Sequence, residues 1–345
     1  MFGSAFLSLL ALSSPFHQGD ATEVQGDYST WLEILRLADI NRTFLLLHQN
    51  VQNQAESVPP KIWDKLERQA RLRLSVWNVV LGEIGRIESC LRDTGIRWML
   101  IKTIRGFPRE IRDLDLLVLD DQLGPLQHAL APLGYVQSAK LSGFKMDLKT
   151  YKTIEGYGRV AVTLDVHSRV SYEGITFINE EELWRHHRNA SVSGTRVPVP
   201  SPEHQMMTTI LNSFFGDGGL RLTDVLEYAE LLSTGARFSV VSEIARNHGW
   251  SLAMTGFFNK AQPYLNFLGV PRSDQPHIHG DRPPTLPAPF AKRILLRALL
   301  EKATHDLGQS EGFLVPSWAR IAMKLVSRMS RNHLRQDSWN QIFNR

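Results

Sequence analysis

The fold is decided by residues 97–119, whose sequence is RWMLIKTIRGFPREIRDLDLLVL. A charged turn separates two apolar runs in this stretch, and short apolar runs bounded by turn residues are typical of buried strands. The first run is Trp98 to Ile101, and the second begins with Asp113 and Asp115. Because side chains alternate along a strand, both carboxylates are expected on one face and the intervening leucines on the other, toward a core.

Two neighbouring carboxylates on one face repel each other unless a positive charge neutralises them. A divalent cation is the usual partner, and Mg²⁺ favours a few carboxylates together with substrate phosphates. Acidic pairs at strand ends also occur simply facing water, so the pair by itself leaves both interpretations open. The turn before it is rich in cations, which a polyphosphate site requires. These cations are Lys102, Arg105, Arg109 and Arg112.

Residues 159–170 form a second strand pattern with a carboxylate in it. Apolar side chains alternate with Thr163, Asp165 and His167, so these three are expected on the opposite face. An Asp inside an apolar strand is costly to bury unless it is paired or metal-bound. Asp165 is therefore the predicted third carboxylate, and His167 either orients substrate or makes a hydrogen bond at the sheet edge. A further strand is predicted over residues 148–154.

Four short motifs follow one another in the chain, and their order and spacing carry a resemblance. They are IKTIRGFPREIRDLDLLV at 101–118, LGY at 133–135, LDVH at 164–167 and SPEH at 201–204. Together they resemble the uncharacterised nucleotidyltransferase-like family of the polymerase-β nucleotidyltransferase superfamily. The resemblance covers residues 98 to 232.

The resemblance implies a reaction and roles for the three carboxylates. Asp113, Asp115 and Asp165 would hold Mg²⁺ or Mn²⁺, and Asp165 would also act as the base toward an acceptor hydroxyl. That hydroxyl would attack the α-phosphorus of a nucleoside triphosphate, for which ATP is the expected choice. The acceptor stays open between a protein, a sugar, a small molecule and an RNA.

The phosphate-binding residues implied by the resemblance are Lys102, Thr103, Arg109 and Arg112. The superfamily usually places a Gly-Ser or Gly-Gly pair before the metal strand, where backbone amides contact the phosphates. Lys102 and Thr103 stand there in this chain, with Gly106 nearby. This departure motivates an alternative function, in which a catalytically degraded nucleotidyltransferase fold serves as a nucleotide-binding or antitoxin-like module.

The distribution of helix and strand patterns predicts an α+β protein in three parts. A helical cap is expected over residues 1–95 and a small mixed β-sheet nucleotidyltransferase core over 96–200. A helical domain is expected over 201–345, interrupted by a Pro-rich loop at 271–289 that carries six prolines.

Composition narrows the class of protein and its surroundings. The 43% hydrophobic and 21% charged fractions are ordinary for a soluble globular protein of 345 residues. The single cysteine, Cys90, rules out an intramolecular disulfide and fits a cytoplasmic location. The apolar run at 6–12 is too short to span a bilayer, so no stable membrane insertion is expected, although an export signal stays open.

The net charge of +4 is concentrated near the end of the chain. Residues 288–345 hold ten Lys and Arg against four Asp and Glu. Such an excess is either a solvated helix face or a patch that binds nucleic acid. A nucleic-acid-binding protein that uses these basic C-terminal helices is therefore a second alternative function.

Overall fold

The computed structural model describes residues 2–13, 26–102, 106–109, 113–142, 145–154, 158–172, 175–216, 219–270 and 292–309. The chain divides into two compact units. The first, called the sheet unit, comprises Met1–Val170 and Asn179–Ser201; the second, called the helical unit, comprises Ser171–Ile178 and Pro202–Arg345. The N-terminal helices and the main sheet thus belong to one unit, and the three-part boundaries expected at 95 and 200 stay a prediction.

The described helices are α1 (Phe2–Leu12), α2 (Tyr28–Ile40), α3 (Phe44–Val51), α4 (Pro60–Leu91), α5 (Leu123–Leu130), α6 (Glu180–Arg185), α7 (Pro202–Leu211), α8 (Leu222–Ser233), α9 (Phe238–Asn247), α10 (Ser251–Phe267) and α11 (Lys292–Gln309). The described strands are β1 (Trp98–Leu100), β2 (Asp113–Val118), β3 (Val136–Ser142), β4 (Lys145–Ile154), β5 (Gly158–His167), β6 (Val170–Tyr172), β7 (Ile175–Ile178), β8 (His187–Val192) and β9 (Thr195–Pro200).

The main sheet has five strands in the order β1-β2-β5-β4-β3. Strands β2 and β5 run parallel, whereas the other neighbours are antiparallel. A parallel pair needs a long connection, and here α5 and the β3–β4 hairpin separate β2 from β5 along the chain. The predicted combination of helices with a small mixed sheet is confirmed.

One face of this sheet is apolar and forms the core of the sheet unit. In β2 the leucines at 114 and 116 are fully buried, while Asp113 and Asp115 on the other face are half-buried. Burying a leucine contributes roughly 1.5–3 kcal/mol, which fixes the face that each strand presents. The long helix α4 and the hairpin β8–β9 contribute residues to the same core. The α4 residues in it are Val80, Ile84, Ile87 and Leu91. The opposite face is left for polar chemistry.

A buried carboxylate ties α4 to this sheet. Glu83 accepts hydrogen bonds from the Tyr135 hydroxyl at 3.2 Å and from Arg86 at 2.7 Å, and it pairs with Lys152 of β4 at 3.0 Å. Burial, followed by the neighbouring Glu83 charge, raises the pKa of Tyr135 well above its usual range. A buried carboxylate is tolerated when it is paired and hydrogen-bonded in this way.

The helical unit combines β7 and all of β6 except Val170 with helices α7 to α11. Its aromatic core includes Trp250, Tyr228 and Phe257, with the last two ring centroids 5.5 Å apart. Helix α10 is preceded by Gly249 at φ +70°, and a Cβ there would lie 2.3 Å from the Cβ of His305 in α11. Glycine is therefore required at this turn on both conformational and steric grounds.

Two segments singled out from the sequence lie outside the residues that the structure describes. The Pro-rich loop at 271–289 and the basic tail beyond residue 309 fall outside them. Among the helices that the structure does describe, none is both long enough and apolar enough to cross a membrane.

Candidate functional site

Three carboxylates form a row across three adjacent strands on the polar face of the sheet. Asp115 of β2 lies opposite Asp165 of β5, and Asp165 lies opposite Asp147 of β4. Neighbouring strands are about 4.8 Å apart, so residues in register on one face have adjacent side chains. Asp113 lies on the same face, two residues before Asp115.

Two of these carboxylates combine with a histidine into a group that has metal-ligand geometry. Ligand atoms of Asp115, Asp165 and His167 all lie within 4.8 Å of one another. His167 is buried, and its Nε2 lies 3.2 Å from Asp115 Oδ1. Carboxylate oxygens suit Mg²⁺ and Mn²⁺, and a neutral imidazole nitrogen is a common metal ligand. The donor set therefore fits a divalent cation.

Two lysines contact the same carboxylates. Lys102 Nζ donates to Asp115 Oδ1 at 3.3 Å, and Lys145 Nζ donates to Asp165 Oδ2 at 2.7 Å. Lys102 adopts a left-handed backbone conformation with φ +63°, which is unfavourable for a residue with a Cβ. Its carbonyl accepts a hydrogen bond from Arg109 at 2.9 Å. The hydrogen bond from Arg109 thus helps to hold Lys102 over the site in a backbone conformation that has some energetic cost.

The carboxylates differ in how readily they carry charge. Burial, with repulsion from Asp115 and Asp165, raises the pKa of Asp113 to about 6. Burial would also raise the pKa of Asp115, but the charge of Lys102 and the hydrogen bond from His167 outweigh it and hold that pKa far below its usual range. Asp115 is therefore a permanent anion, whereas Asp113 ionises at a cost that a nearby cation would remove.

The other members of the site follow the same physics. Burial lowers the pKa of His167, which keeps the imidazole neutral and able to act as a ligand. Burial and the charge of Asp165 raise the pKa of Asp147. The positive charge of Arg42, in the turn between α2 and α3, partly offsets the raised pKa of Asp113.

The structure brings most of the predicted site residues together. Asp113, Asp115 and Asp165 share the polar face, although Asp113 is not part of the three-residue group that has metal-ligand geometry. Lys102 contacts the site directly, and Arg109 contacts it through the Lys102 carbonyl. Thr103 and Arg112 lie outside the described residues.

Lys145 and Asp147 belong to the site but are not among the residues predicted from the sequence. The predicted strand begins at residue 148, whereas β4 begins at Lys145. The signal was present, because Met146 and Leu148 alternate with the two charged residues and are buried. Arg42 was also missed, since no local pattern links a turn between two helices to a distant strand.

Comparisons with known proteins place the chain in a family. A model of uncharacterised nucleotidyltransferases matches residues 27–265, which is well over half of the chain. An antigenic nucleotidyltransferase-like protein from Paracoccidioides brasiliensis is similar in structure, with 14% identity, a TM-score of 0.38, and coverage of 55% of this chain and 92% of that protein. A lincosamide antibiotic adenylyltransferase bound to lincomycin shows 19% identity, a TM-score of 0.31, and coverage of 44% of this chain and 96% of that protein.

Both TM-scores are low, so the assignment rests on the family match. No curated protein matches the sequence. The matched segment runs through both units and includes β2 and β5, which carry Asp113, Asp115 and Asp165. The chain belongs to the uncharacterised nucleotidyltransferase family.

Proposed function

We propose that the protein is a metal-dependent nucleotidyltransferase that moves a nucleoside monophosphate from a nucleoside triphosphate to a hydroxyl acceptor. The observation that carries the proposal is the Asp115, Asp165 and His167 group, whose ligand atoms lie within 4.8 Å of one another in a member of a nucleotidyltransferase family. Mg²⁺ or Mn²⁺ bound there, with Asp113 beside it, would neutralise charge on the triphosphate and polarise the reacting phosphoryl group.

In the proposed reaction, the acceptor oxygen attacks the α-phosphorus in line with the departing pyrophosphate. A new oxygen–phosphorus bond forms, the bond between the α-phosphorus and the bridging oxygen breaks, and pyrophosphate leaves with that oxygen. Asp165 takes the proton of the acceptor hydroxyl. General-base catalysis of this kind contributes roughly 10²–10⁴-fold to the rate.

The cations of the turn before β2 are proposed to bind the phosphates. The Lys102 ammonium already contacts Asp115, and Arg109 donates a hydrogen bond to the Lys102 carbonyl. Thr103 and Arg112 are added from the sequence. ATP is the proposed triphosphate, and the acceptor is a protein, a sugar, a small molecule or an RNA.

Nucleotide transfer and nucleotide binding are measured on the same preparations to test this function. The protein is incubated with α-labelled ATP, CTP, GTP or UTP, Mg²⁺ or Mn²⁺, and cell extract, and labelled products are separated. Asp165→Asn is expected to bind a non-hydrolysable ATP analogue while losing transfer by roughly 10²–10⁴-fold. The exposed Asp121→Asn is the matched control and is expected to transfer like the parent.

Two results would count against the proposal. Transfer by Asp165→Asn at the parental rate would remove Asp165 from the reaction. Nucleotide binding without transfer to any acceptor would favour the degraded, binding-only alternative, for which the replaced Gly-Ser pair at Lys102 and Thr103 is the motive.

A further inference from the structure

Lys145 occupies the carboxylate that the proposed reaction needs. Its Nζ donates to Asp165 Oδ2 at 2.7 Å, and the Lys145 side chain is 28% exposed. Asp165 is proposed both to bind a cation and to accept a proton. An ammonium group held tightly on this carboxylate weakens both roles, because it repels a second cation and lowers the proton affinity of the carboxylate oxygens.

A second carboxylate lies within reach of Lys145. Asp147 is two residues further along β4 on the same face, with its Oδ1 at 4.0 Å from Lys145 Nζ. This oxygen is buried and has no hydrogen-bond partner among the described residues, while the same carboxyl makes a side-chain hydrogen bond with Asp165. Hydrogen bonds between N–H and O are about 2.9 Å long, so a shift of roughly 1 Å by the flexible lysine end would satisfy it.

We propose that Lys145 is a positioning residue with two alternative partners. It neutralises Asp165 while the site lacks a divalent cation, and it moves to Asp147 when a cation binds Asp115, Asp165 and His167. The inference rests on the proposed metal-dependent function. It accounts for Asp147, a fourth carboxylate for which the reaction itself has no use.

This arrangement makes the site selective for a cation that arrives with its nucleotide. A cation alone must displace Lys145 from Asp165 and gains only the protein ligands in return. A cation carried by a triphosphate brings further negative charge, which offsets the cost of moving Lys145 from Asp165 to Asp147. Cation and nucleotide are therefore expected to bind cooperatively, each strengthening the binding of the other.

The affinity for Mn²⁺ in the absence of nucleotide tests the competition directly. Free Mn²⁺ is followed by electron paramagnetic resonance during titration of the full chain. Lys145→Met is expected to bind Mn²⁺ at least about tenfold more tightly than the parent, because a competing unit charge at contact distance is gone. A purely structural role for Lys145 would give weaker binding instead.

Lys149→Met is the matched control. Lys149 lies on the same face of β4, two residues beyond Asp147, so its loss removes an equal charge. Its effect on Mn²⁺ affinity is expected to stay below roughly threefold, as for a charge that makes no direct contact with the ligands. Lys145→Gln, which keeps the polar contact without the charge, is expected to tighten binding as well and covers the case in which Lys145→Met fails to fold.

A double-mutant cycle tests the part played by Asp147. Asp147→Asn is expected to weaken Mn²⁺ binding roughly threefold or more in the parent, because Lys145 loses its second partner. In the Lys145→Met background the same change is expected to matter less than about twofold. Equal effects in both backgrounds would show that Asp147 acts on the cation directly and would overturn the two-partner arrangement.

The outcomes separate this inference from the proposed function. Mn²⁺ binding that disappears in Asp115→Asn but is unchanged in Lys145→Met would overturn the role of Lys145 alone. Absence of Mn²⁺ binding in the parent, Lys145→Met and Lys145→Gln, with and without ATP, would overturn both.

Discussion

Replacing Asp113 by Asn is expected to stabilise the protein when no metal is present. Asp113 is half-buried, and burial together with the charges of Asp115 and Asp165 raises its pKa to about 6. At neutral pH the folded protein therefore holds an anion where the surroundings disfavour one. An asparagine of the same shape carries no charge and avoids this penalty.

The size of the gain follows from the pKa of Asp113. The rise from 3.8 to about 6 is roughly two pKa units, and each unit corresponds to about 1.4 kcal/mol of free energy. Asp113→Asn is thus expected to raise the free energy of unfolding by up to about 3 kcal/mol at pH 7.5. Mg²⁺ with ATP is expected to stabilise the parent more than the variant, because the Asp113 anion beside the bound cation then contributes a favourable charge.

The pH dependence of the free energy of unfolding tests independently whether Asp113 destabilises the folded protein. Above pH 6 the folded protein bears the full cost of the ionised carboxylate. Between pH 6 and 3.8 the folded state binds a proton that the unfolded state does not, so the Asp113 contribution to stability improves as the pH falls. Below pH 3.8 both states are protonated and the cost has disappeared. The advantage of Asp113→Asn over the parent should therefore shrink as the pH is lowered through this window.

The assay is urea unfolding in the presence of a chelator at several pH values. Circular dichroism reports the whole chain, and hydrogen exchange of β2 and β5 amides reports the sheet unit separately. The exposed Asp121→Asn is the control and is expected to change stability by less than about 0.5 kcal/mol. Equal or lower stability of Asp113→Asn at pH 7.5, with a pH profile parallel to that of the parent, would refute the reasoning.

Three further predictions concern other parts of the chain. Tyr135→Phe removes a hydrogen bond to the buried carboxylate of Glu83 and should lower the free energy of unfolding by about 1–3 kcal/mol, measured in urea. No loss would mean that Arg86 and Lys152 satisfy Glu83 without Tyr135. Gly249→Ala should lower the free energy of unfolding by about 2–4 kcal/mol, because it combines left-handed backbone strain with overpacking against His305. Gly235→Ala is the control, since its added Cβ meets open space, and a smaller loss in Gly249→Ala than in Gly235→Ala would contradict this account. Nucleic-acid binding by the basic tail should weaken steeply as salt is added, and no binding at low ionic strength would reject that alternative.

The faces of β2 and β5 could be predicted from the sequence because they depend on local alternation. Leu114 and Leu116 alternate with Asp113 and Asp115, and the two-residue period of a strand leaves little choice of face. The long helix α4 was readable for a similar reason, since its buried residues recur at helical spacing. Patterns of this kind involve only residues close together in the chain, so they can be recognised without knowledge of the tertiary structure.

The contacts within the site could not be predicted in the same way. Which strand pairs with β5 on each side depends on the whole sheet. The sequence of neither strand alone therefore predicts that Asp147 lies opposite Asp165. The alternation at the start of β4 indicates a strand, but it does not indicate which neighbouring strand faces Lys145 and Asp147. The reach of Lys145 to Asp165 and the influence of Arg42 on Asp113 arise only from the folded arrangement.

The row formed by Asp115, Asp165 and Asp147 is also expected to favour the correct register of the sheet during folding. If any one of β2, β5 or β4 slipped by a single residue against its neighbour, that strand would turn its carboxylate toward α4 and into the apolar core. An unpaired carboxylate buried there costs several kcal/mol, and a leucine or valine would at the same time be exposed. Each of the three strands thus carries its own penalty against a one-residue slip, and replacing its acid should make the pairing of that strand less faithful.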